Sequence, residues 1–476
     1  MDPNTLTLTR DEMRALGHRI VDLIVEHVET LRDVPATRRG TPAQLGAAFT
    51  EPIPEVGRPI DDVLRRVSDD LFTHVMHVDH PRFFAFVPSP SNFVSAMAEA
   101  LVAGFNPYAG SWIEGSGAAA VEVATIDWLR TICQLPPSAG GLFVSGASMA
   151  NITALAVARH VTLGGPSDEA VVYCSDQTHS SVERGLRVLG FRPAQQRQLP
   201  TGPDFRLNMA ELASAVESDR RSGRRPFCVV ANAGTTNTGA VDPLPALAGY
   251  CRHERLWLHA DGAYGAAAML CPEGREQLAG LSEVDSLSLD PHKWMFQPYE
   301  TGCLLVRDAA WLCDTFELVP DYLKDAMGDA DEVNFSFRGI QLRRSFRALK
   351  LWMSMQVFGR QAFQAAVEHG LALARHAERV IRGYPGWEVV APATLGVVAF
   401  RAAPAALTAD QQDAVNRGLV QEMIRDGFAM VSSTRLRDRV VLRICPINPR
   451  ATEADIEETL RRLDAMASRL AAPIPP

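Results

Sequence analysis

The sequence predicts an α/β protein: a large domain on a mainly parallel sheet, a helical arm before it and a small α+β unit after it. Three observations carry this. Between about residues 110 and 310, short β-branched runs alternate with helix-length segments, the pattern of strands joined by crossover helices. Ahead of that region the chain shows helical periodicity and a proline-rich break. Toward the end, two strand-like runs precede a closing amphipathic helix. The expected boundaries are residues 1–85 for the arm, 86–360 for the large domain and 361–476 for the small one.

In chain order, Thr9 and Glu12 fit a capping box, and Met13, Leu16, Ile20, Leu23, Ile24 and Leu31 recur at helical spacing. Such an apolar stripe needs a surface to cover, in its own core or on a partner subunit. "TEPIPEVGRPIDD" breaks the chain, and a short helix and "HPRFFAFVPSP" follow. The strand candidates are "GLFVSG", "AVVYCSD", "FCVVANAG", "LWLHADGAY", "DSLSLD" and "CLLVRD". "GVVAFR" and "VVLRIC" read as strands of the small unit. A last helix from about Glu453 to Leu470 places Ile456, Leu460, Leu463 and Leu470 on one face.

Bulk properties exclude several classes. At 476 residues the chain is too long for one small core, and 47% apolar with 22% charged residues is ordinary globular composition. A net charge of −9 with no basic tract argues against a nucleic-acid or anionic-membrane partner. No apolar run is long enough to span a bilayer, and "MDPNTLTLTRDEMRAL" lacks the apolar stretch of a signal peptide, so a cytoplasmic protein is expected. The eight cysteines are scattered, with no C-x-x-C pair and no Cys/His cluster at zinc spacing, so reduced thiols and no metal are expected.

In an open α/β sheet, ligands gather at the carboxyl ends of the strands. There "FVSGASMAN" runs through Ser145, Gly146, Ala147 and Ser148 into a helix, a turn whose backbone N–H groups and dipole suit a phosphate. "LHADGAY" ends a strand at Asp261, a carboxylate able to keep a ring nitrogen protonated. "SDQTHSS" presents His179, and "NAGTTNTGAVDP" presents Thr235 and Thr236. "SLDPHKWMF" presents Asp290, His292 and Lys293. Lysine is scarce: it occurs only at Lys293, Lys324 and Lys350, the other basic residues being arginine. Singly, each piece has a plain explanation as a cap, an ST-turn or a loop histidine. Together they are what an aldehyde cofactor needs: an amine, a carboxylate for a pyridine nitrogen, a planar group over the ring and a phosphate cradle.

With those motifs in place, the chain resembles the group II pyridoxal-phosphate-dependent amino-acid decarboxylases, the family of aromatic-L-amino-acid, histidine and glutamate decarboxylases. "HPRFFAF", "SGAS", "DQTHSSVERG", "GTTNTG", "LHADGAYG", "DPHKW", "DYLK" and "FRALKLW" match in order over essentially the whole chain, and "HPRFFAF" and "DYLK" look most like the aromatic branch. The resemblance implies a fold-type I transferase-like architecture, pyridoxal 5'-phosphate, and a homodimer with shared active sites. It implies that Lys293 carries the cofactor covalently, with His292 beside it and Asp290 near the phosphate. Asp261 would face the pyridine nitrogen, Ala263 would pack beneath the ring and His179 would stack above it and contact the substrate carboxylate. Ala147, Ser148 and Thr236 would line the phosphate and ring edge. Ser89 would sit at the substrate carboxylate, with Phe86, Tyr108, Gly110, Trp112 and Arg343 about the side chain. Tyr322 would lie on a loop that closes over the site and would protonate Cα.

Three departures stand out. Asp290 stands where the family often has Asn, Arg343 replaces a small residue ahead of two basic ones, and Gly110 replaces a bulky apolar residue that comes from the partner subunit. The expected activity is decarboxylation of an aromatic L-amino acid (tryptophan, tyrosine, DOPA or phenylalanine) to the amine and CO2. Its alternatives are a polar or acidic substrate and an aromatic aldehyde synthase, in which the loop tyrosine is typically phenylalanine. More distant are a fold-type I aminotransferase, with Arg443 as its carboxylate-binding residue, and a cofactor-free scaffold.

Overall fold

The computed structural model describes residues 6–318 and 331–472. Helix α1 (Arg10–Thr30) begins as its sequence dictates. The Thr9 hydroxyl accepts from the Glu12 N–H while the Glu12 carboxylate accepts from the Thr9 N–H. No residue of α1 is buried, although Met13, Ile20, Val21, Val25 and Val28 are apolar. Helix α2 (Pro42–Phe49) has a second capping box, Thr41 with Gln44, and proline at its first position. After α3 (Ile60–Arg66), the helices α4 (Phe93–Phe105) and α5 (Trp112–Ile132) lead into the sheet.

The large sheet has seven strands: β1 (Gly140–Val144), β2 (Ala170–Ser175), β3 (Gln196–Leu199), β4 (Arg225–Asn232), β5 (Trp257–Asp261), β6 (Ser286–Leu289) and β7 (Gly302–Val306). Their spatial order is β1-β7-β6-β5-β4-β2-β3. All the expected runs are strands, buried along their whole length or nearly so, as sheets covered on both faces require. Two features were not legible. Strand β3 is the polar run "QRQL" at an edge, where half-burial removes the apolar signal. Strand β7 is antiparallel to both neighbours, because residues 290–301 return directly, with no crossover helix.

The second sheet is antiparallel, β10-β11-β9-β8, with β8 at Trp387–Thr394, β9 at Val397–Ala402, β10 at Ser432–Leu436 and β11 at Arg439–Ile444. "GVVAFR" and "VVLRIC" supply β9 and β11; their mixed-polarity partners β8 and β10 were not foreseen. The helices Ala348–Gly383, Ala409–Asp426 and Glu453–Ala471 pack on this sheet around a core of its own. In the last helix Ile456, Leu460 and Leu463 are buried as expected, whereas Leu470 is 38% exposed near the fraying end. The long helix Ala348–Gly383 is two helices joined at Gly359, whose φ of 72° no ordinary helical residue adopts.

Candidate active site

The parallel strands end on one edge, and register sets their last residues side by side. Asn232 of β4 pairs with Asp261 of β5, and Asp261 with Ser288 of β6. Helix α6 (Ala147–Leu163) starts on the same edge, in line with β1. Its turn passes β7 so closely that a side chain at Gly302 would lie 2.4 Å from the Gly146 backbone. Glycine at both positions permits the approach.

These ends enclose a cavity of about 460 Å³, within the usual range for a small-molecule site. Ser145, Gly146, Ala147, Ser148, His179, Thr236, Asp261, Ala263, Asp290, His292 and Lys293 all line it. Every residue singled out from sequence for cofactor binding is thus in one pocket. Asn232, Gly234, Tyr264, Tyr299 and Glu300 also line it and were missed. The signal for Asn232 was present, since it ends the strand run "FCVVAN". Tyr299 and Glu300 are brought in by the 290–301 return.

Lys293 Nζ is 3.0 Å from Asp290 Oδ2. Burial pushes the Lys293 ammonium down, but Asp290 and then Asp261 outweigh it, so its pKa lies above the ordinary lysine value. Asp290 Oδ1 also accepts from the Ala147 N–H at 2.6 Å, at the start of α6. His292 Nδ1 accepts from the Thr301 N–H, and its Nε2 is 3.5 Å from Asp290. Burial holds His292 below the usual histidine range. Asp261 Oδ1 accepts from the Ala263 N–H at 3.1 Å and Oδ2 from Asn151 Nδ2 at 3.0 Å. His179 caps α7 (Ser180–Val188), its Nδ1 meeting both the N–H and the hydroxyl of Ser181.

The donor set fits a phosphorylated pyridine aldehyde. Ser148 and Thr236 line the cavity with hydroxyls that bond to no other described residue, Asp261 offers a fixed carboxylate, and Lys293 is the lysine of this pocket. One member is unexpected: the Asp290 carboxylate takes the Ala147 N–H that an anion at α6 would use.

The other candidates do not line this cavity in their own chain or fall outside the described residues. Ser89 is buried and donates its hydroxyl to the carbonyl of His292, beneath the pocket. Phe86 is 53% exposed with φ 50°. Tyr108 Oη donates to the Leu342 carbonyl at 2.8 Å. Gly110 leaves no void, since a side chain there would come within 2.4 Å of the Tyr108 ring. Trp112 is half-buried at the start of α5, its N–H bonded to Asn334 Oδ1. Arg343 is exposed and does not line the cavity of its own chain. Tyr322 and Lys324 lie outside the described residues. Arg443 of β11 is buried near Tyr264, its Nε and Nη2 without a hydrogen-bond partner among the described residues, and burial lowers its pKa.

Residues 42–403 match the family model of the pyridoxal-dependent decarboxylase conserved domain. The chain is 46% identical over 472 residues to an aromatic-L-amino-acid decarboxylase of Bacillus atrophaeus, covering 99% of this chain and 98% of that one. It is 30% identical to a phenylacetaldehyde synthase of Arabidopsis thaliana, covering 97% and 96%. Among solved structures, Oryza sativa TDC with PLP and tryptamine superposes with a TM-score of 0.92 at 30% identity, covering 99% and 100%.

Proposed function

Because the chain belongs to the pyridoxal-dependent decarboxylases, we propose that it removes the α-carboxylate of an aromatic L-amino acid, releasing CO2 and the arylalkylamine. The observation that carries this reading is the single cavity lined by Lys293, Asp261, His179 and the Ser145–Ser148 turn.

Bound pyridoxal phosphate supplies an electron sink for the pair left at Cα when CO2 departs. The chain's part is to bind, orient and handle protons. Lys293 would hold the cofactor through its amine, and Asp261 would keep the ring nitrogen protonated. Ser148 and Thr236 would take the phosphate with the α6 dipole behind them. His179 would hold the carboxylate so that the breaking bond stands across the ring plane. Closing the cavity against water would favour loss of the carboxylate charge. Tyr322 would return the proton to Cα, which favours amine over aldehyde. Because Tyr108 fills the space beside Gly110, the glycine is no evidence for a widened pocket, and the aromatic reading gains support.

The assembly proposed is a homodimer that shares its active sites. Its support is the unburied apolar residues of α1 and, separately, exposed Leu101, Phe105 (82% exposed) and Ile113 on the helices that follow. The three-part division at residues 85 and 360 is likewise proposed, its second boundary beside the Gly359 bend. Among the described residues no helix is long and apolar enough to cross a membrane, and all eight cysteines are free, in keeping with the proposed cytoplasmic setting. The activity is tested with a panel of aromatic, acidic and basic amino acids, measuring CO2 and amine. Turnover of acidic or basic substrates alone would overturn the aromatic assignment.

A further inference from the structure

Beneath the cavity floor, Asn151 joins residues that lie on different strands and helices. Its side chain is fully buried on α6. Nδ2 donates to Asp261 Oδ2 at 3.0 Å and to Ser181 Oγ at 2.9 Å, and Oδ1 is 3.0 Å from His259 Nε2. His259 Nδ1 is 2.8 Å from Ser286 Oγ, which accepts from Trp257 Nε1 at 2.8 Å. Ser181 Oγ is 2.8 Å from His179 Nδ1.

Hydrogen-bond bookkeeping orders every proton in this chain. The Asp261 carboxylate only accepts, so it must face the amide nitrogen of Asn151, not its oxygen. Asn151 Oδ1 then faces His259, whose Nε2 must carry the proton. Burial pushes His259 down to about 4 and keeps it neutral near neutral pH, so its Nδ1 accepts from the Ser286 hydroxyl. On the other arm, the second N–H of Asn151 goes to Ser181 Oγ. That hydroxyl is left to donate its own proton to His179 Nδ1, where the Ser181 N–H also points at 3.2 Å. With Nδ1 accepting from both, the His179 proton belongs on Nε2, the ring nitrogen with no partner among the described residues, on a ring that lines the cavity.

We propose that Asn151 is a positioning residue that relays the Asp261 carboxylate through Ser181 to His179 and fixes His179 as the tautomer with its proton on Nε2. The effect is to present a donor, not a lone pair, to whatever occupies the cavity above His179. A donor there suits an anionic oxygen such as a substrate carboxylate; the opposite tautomer would repel it. The role for Asn151 deepens the decarboxylase reading and rests on it for its functional meaning, but the tautomer itself can be measured without substrate or cofactor.

The test is nitrogen NMR of the cofactor-free, full-length chain labelled with 15N-histidine, the His179 signals being identified by their loss in His179→Gln. The parent should show a protonated Nε2 and a bare Nδ1. Asn151→Leu removes the amide at similar volume, and Ser181→Ala removes the hydroxyl between Asn151 and His179 while leaving the Ser181 N–H on Nδ1 and the Asn151 bond to Asp261. In each, the Nδ1-protonated form should gain population relative to the parent, against the Ser181 N–H that still favours a bare Nδ1. Titration with pyridoxal phosphate should separate the arms. Affinity should fall by about tenfold in Asn151→Leu, which loses a hydrogen bond to a charged group, and stay near that of the parent in Ser181→Ala. If Asn151→Leu does not fold, Ser181→Ala decides alone. A parent with its proton on Nδ1, or variants that lose thermal stability while the tautomer stays put, would overturn the proposal. Failure of the substrate panel with this tautomer intact would count against the decarboxylase reading and not against the relay.

Discussion

Replacing Asp290 by asparagine should make Lys293 a faster nucleophile. An amine attacks an aldehyde only when uncharged, and the Asp290 carboxylate at 3.0 Å stabilises the charged form. At that distance, and an effective dielectric constant of about 20, the attraction is about 5.5 kcal/mol. The Lys293 side chain is 25% exposed. Doubling the dielectric constant to admit solvent leaves about 2.8 kcal/mol, or about a hundredfold more free amine at a given pH below the titration. The amide oxygen of the replacement side chain can still accept from the Ala147 N–H, so the turn is conserved. Removing a negative charge also favours a phosphate, and the assay must separate the two effects. Cofactor-free protein is therefore mixed with pyridoxal, which lacks the phosphate, and covalent capture is trapped with borohydride across a pH series. The sign follows from the raised Lys293 pKa: in the parent, capture climbs only as pH approaches the alkaline range, and Asp290→Asn moves that limb to lower pH. A limb that stays in place, or moves up, would refute the electrostatic account.

Other outcomes follow from named contacts. Borohydride reduction of the cofactor-loaded enzyme and peptide mapping should put the pyridoxyl group on Lys293; an adduct on Lys324 or Lys350 would sink the assignment. Arg344 and Glu122 form an ion pair with side chains 1% and 0% exposed, so Arg344→Met should lower stability by about 3–5 kcal/mol in denaturant unfolding, because Glu122 is stranded. A loss below about 1 kcal/mol would mean that Glu122 finds another partner or a proton. Tyr322→Phe keeps the ring and deletes the acid, so CO2 release should persist while amine yield falls and dioxygen is consumed to give aldehyde, ammonia and peroxide. Amine as sole product at the parental rate would assign the proton to another group. The active species should sediment as a dimer; an active monomer would contradict the role given to α1.

Much of the architecture and the pocket was legible because the signals are local. Thr9 and Glu12 are three residues apart and cap α1 without help from the rest of the fold. The strand runs ending at Ser175, Asn232, Asp261 and Leu289 are buried on both faces, so their apolar content survives as a readable pattern. Strand ends in a parallel sheet share an edge, which is why Lys293, Asp261 and His179 could be assigned to one site before any coordinates. The sequence by itself therefore determined the fold class and the cofactor, and named most of the residues that line the cavity. Only the tertiary structure decided what depends on distances between remote segments. Edge strand β3 carries no apolar signal, and the antiparallel direction of β7, whose run itself was legible, is set by the length of a connection. Gly110 reads as a gap until the Tyr108 ring is seen beside it, and only the structure shows that Arg343 is exposed and off the cavity of its own chain. The relay from Asp261 through Asn151 to His179 needs the end of β5, the first turns of α6 and the N-cap of α7 within hydrogen-bond reach. Hydrogen bonds act over about 3 Å, a precision that residue spacing along a chain does not encode.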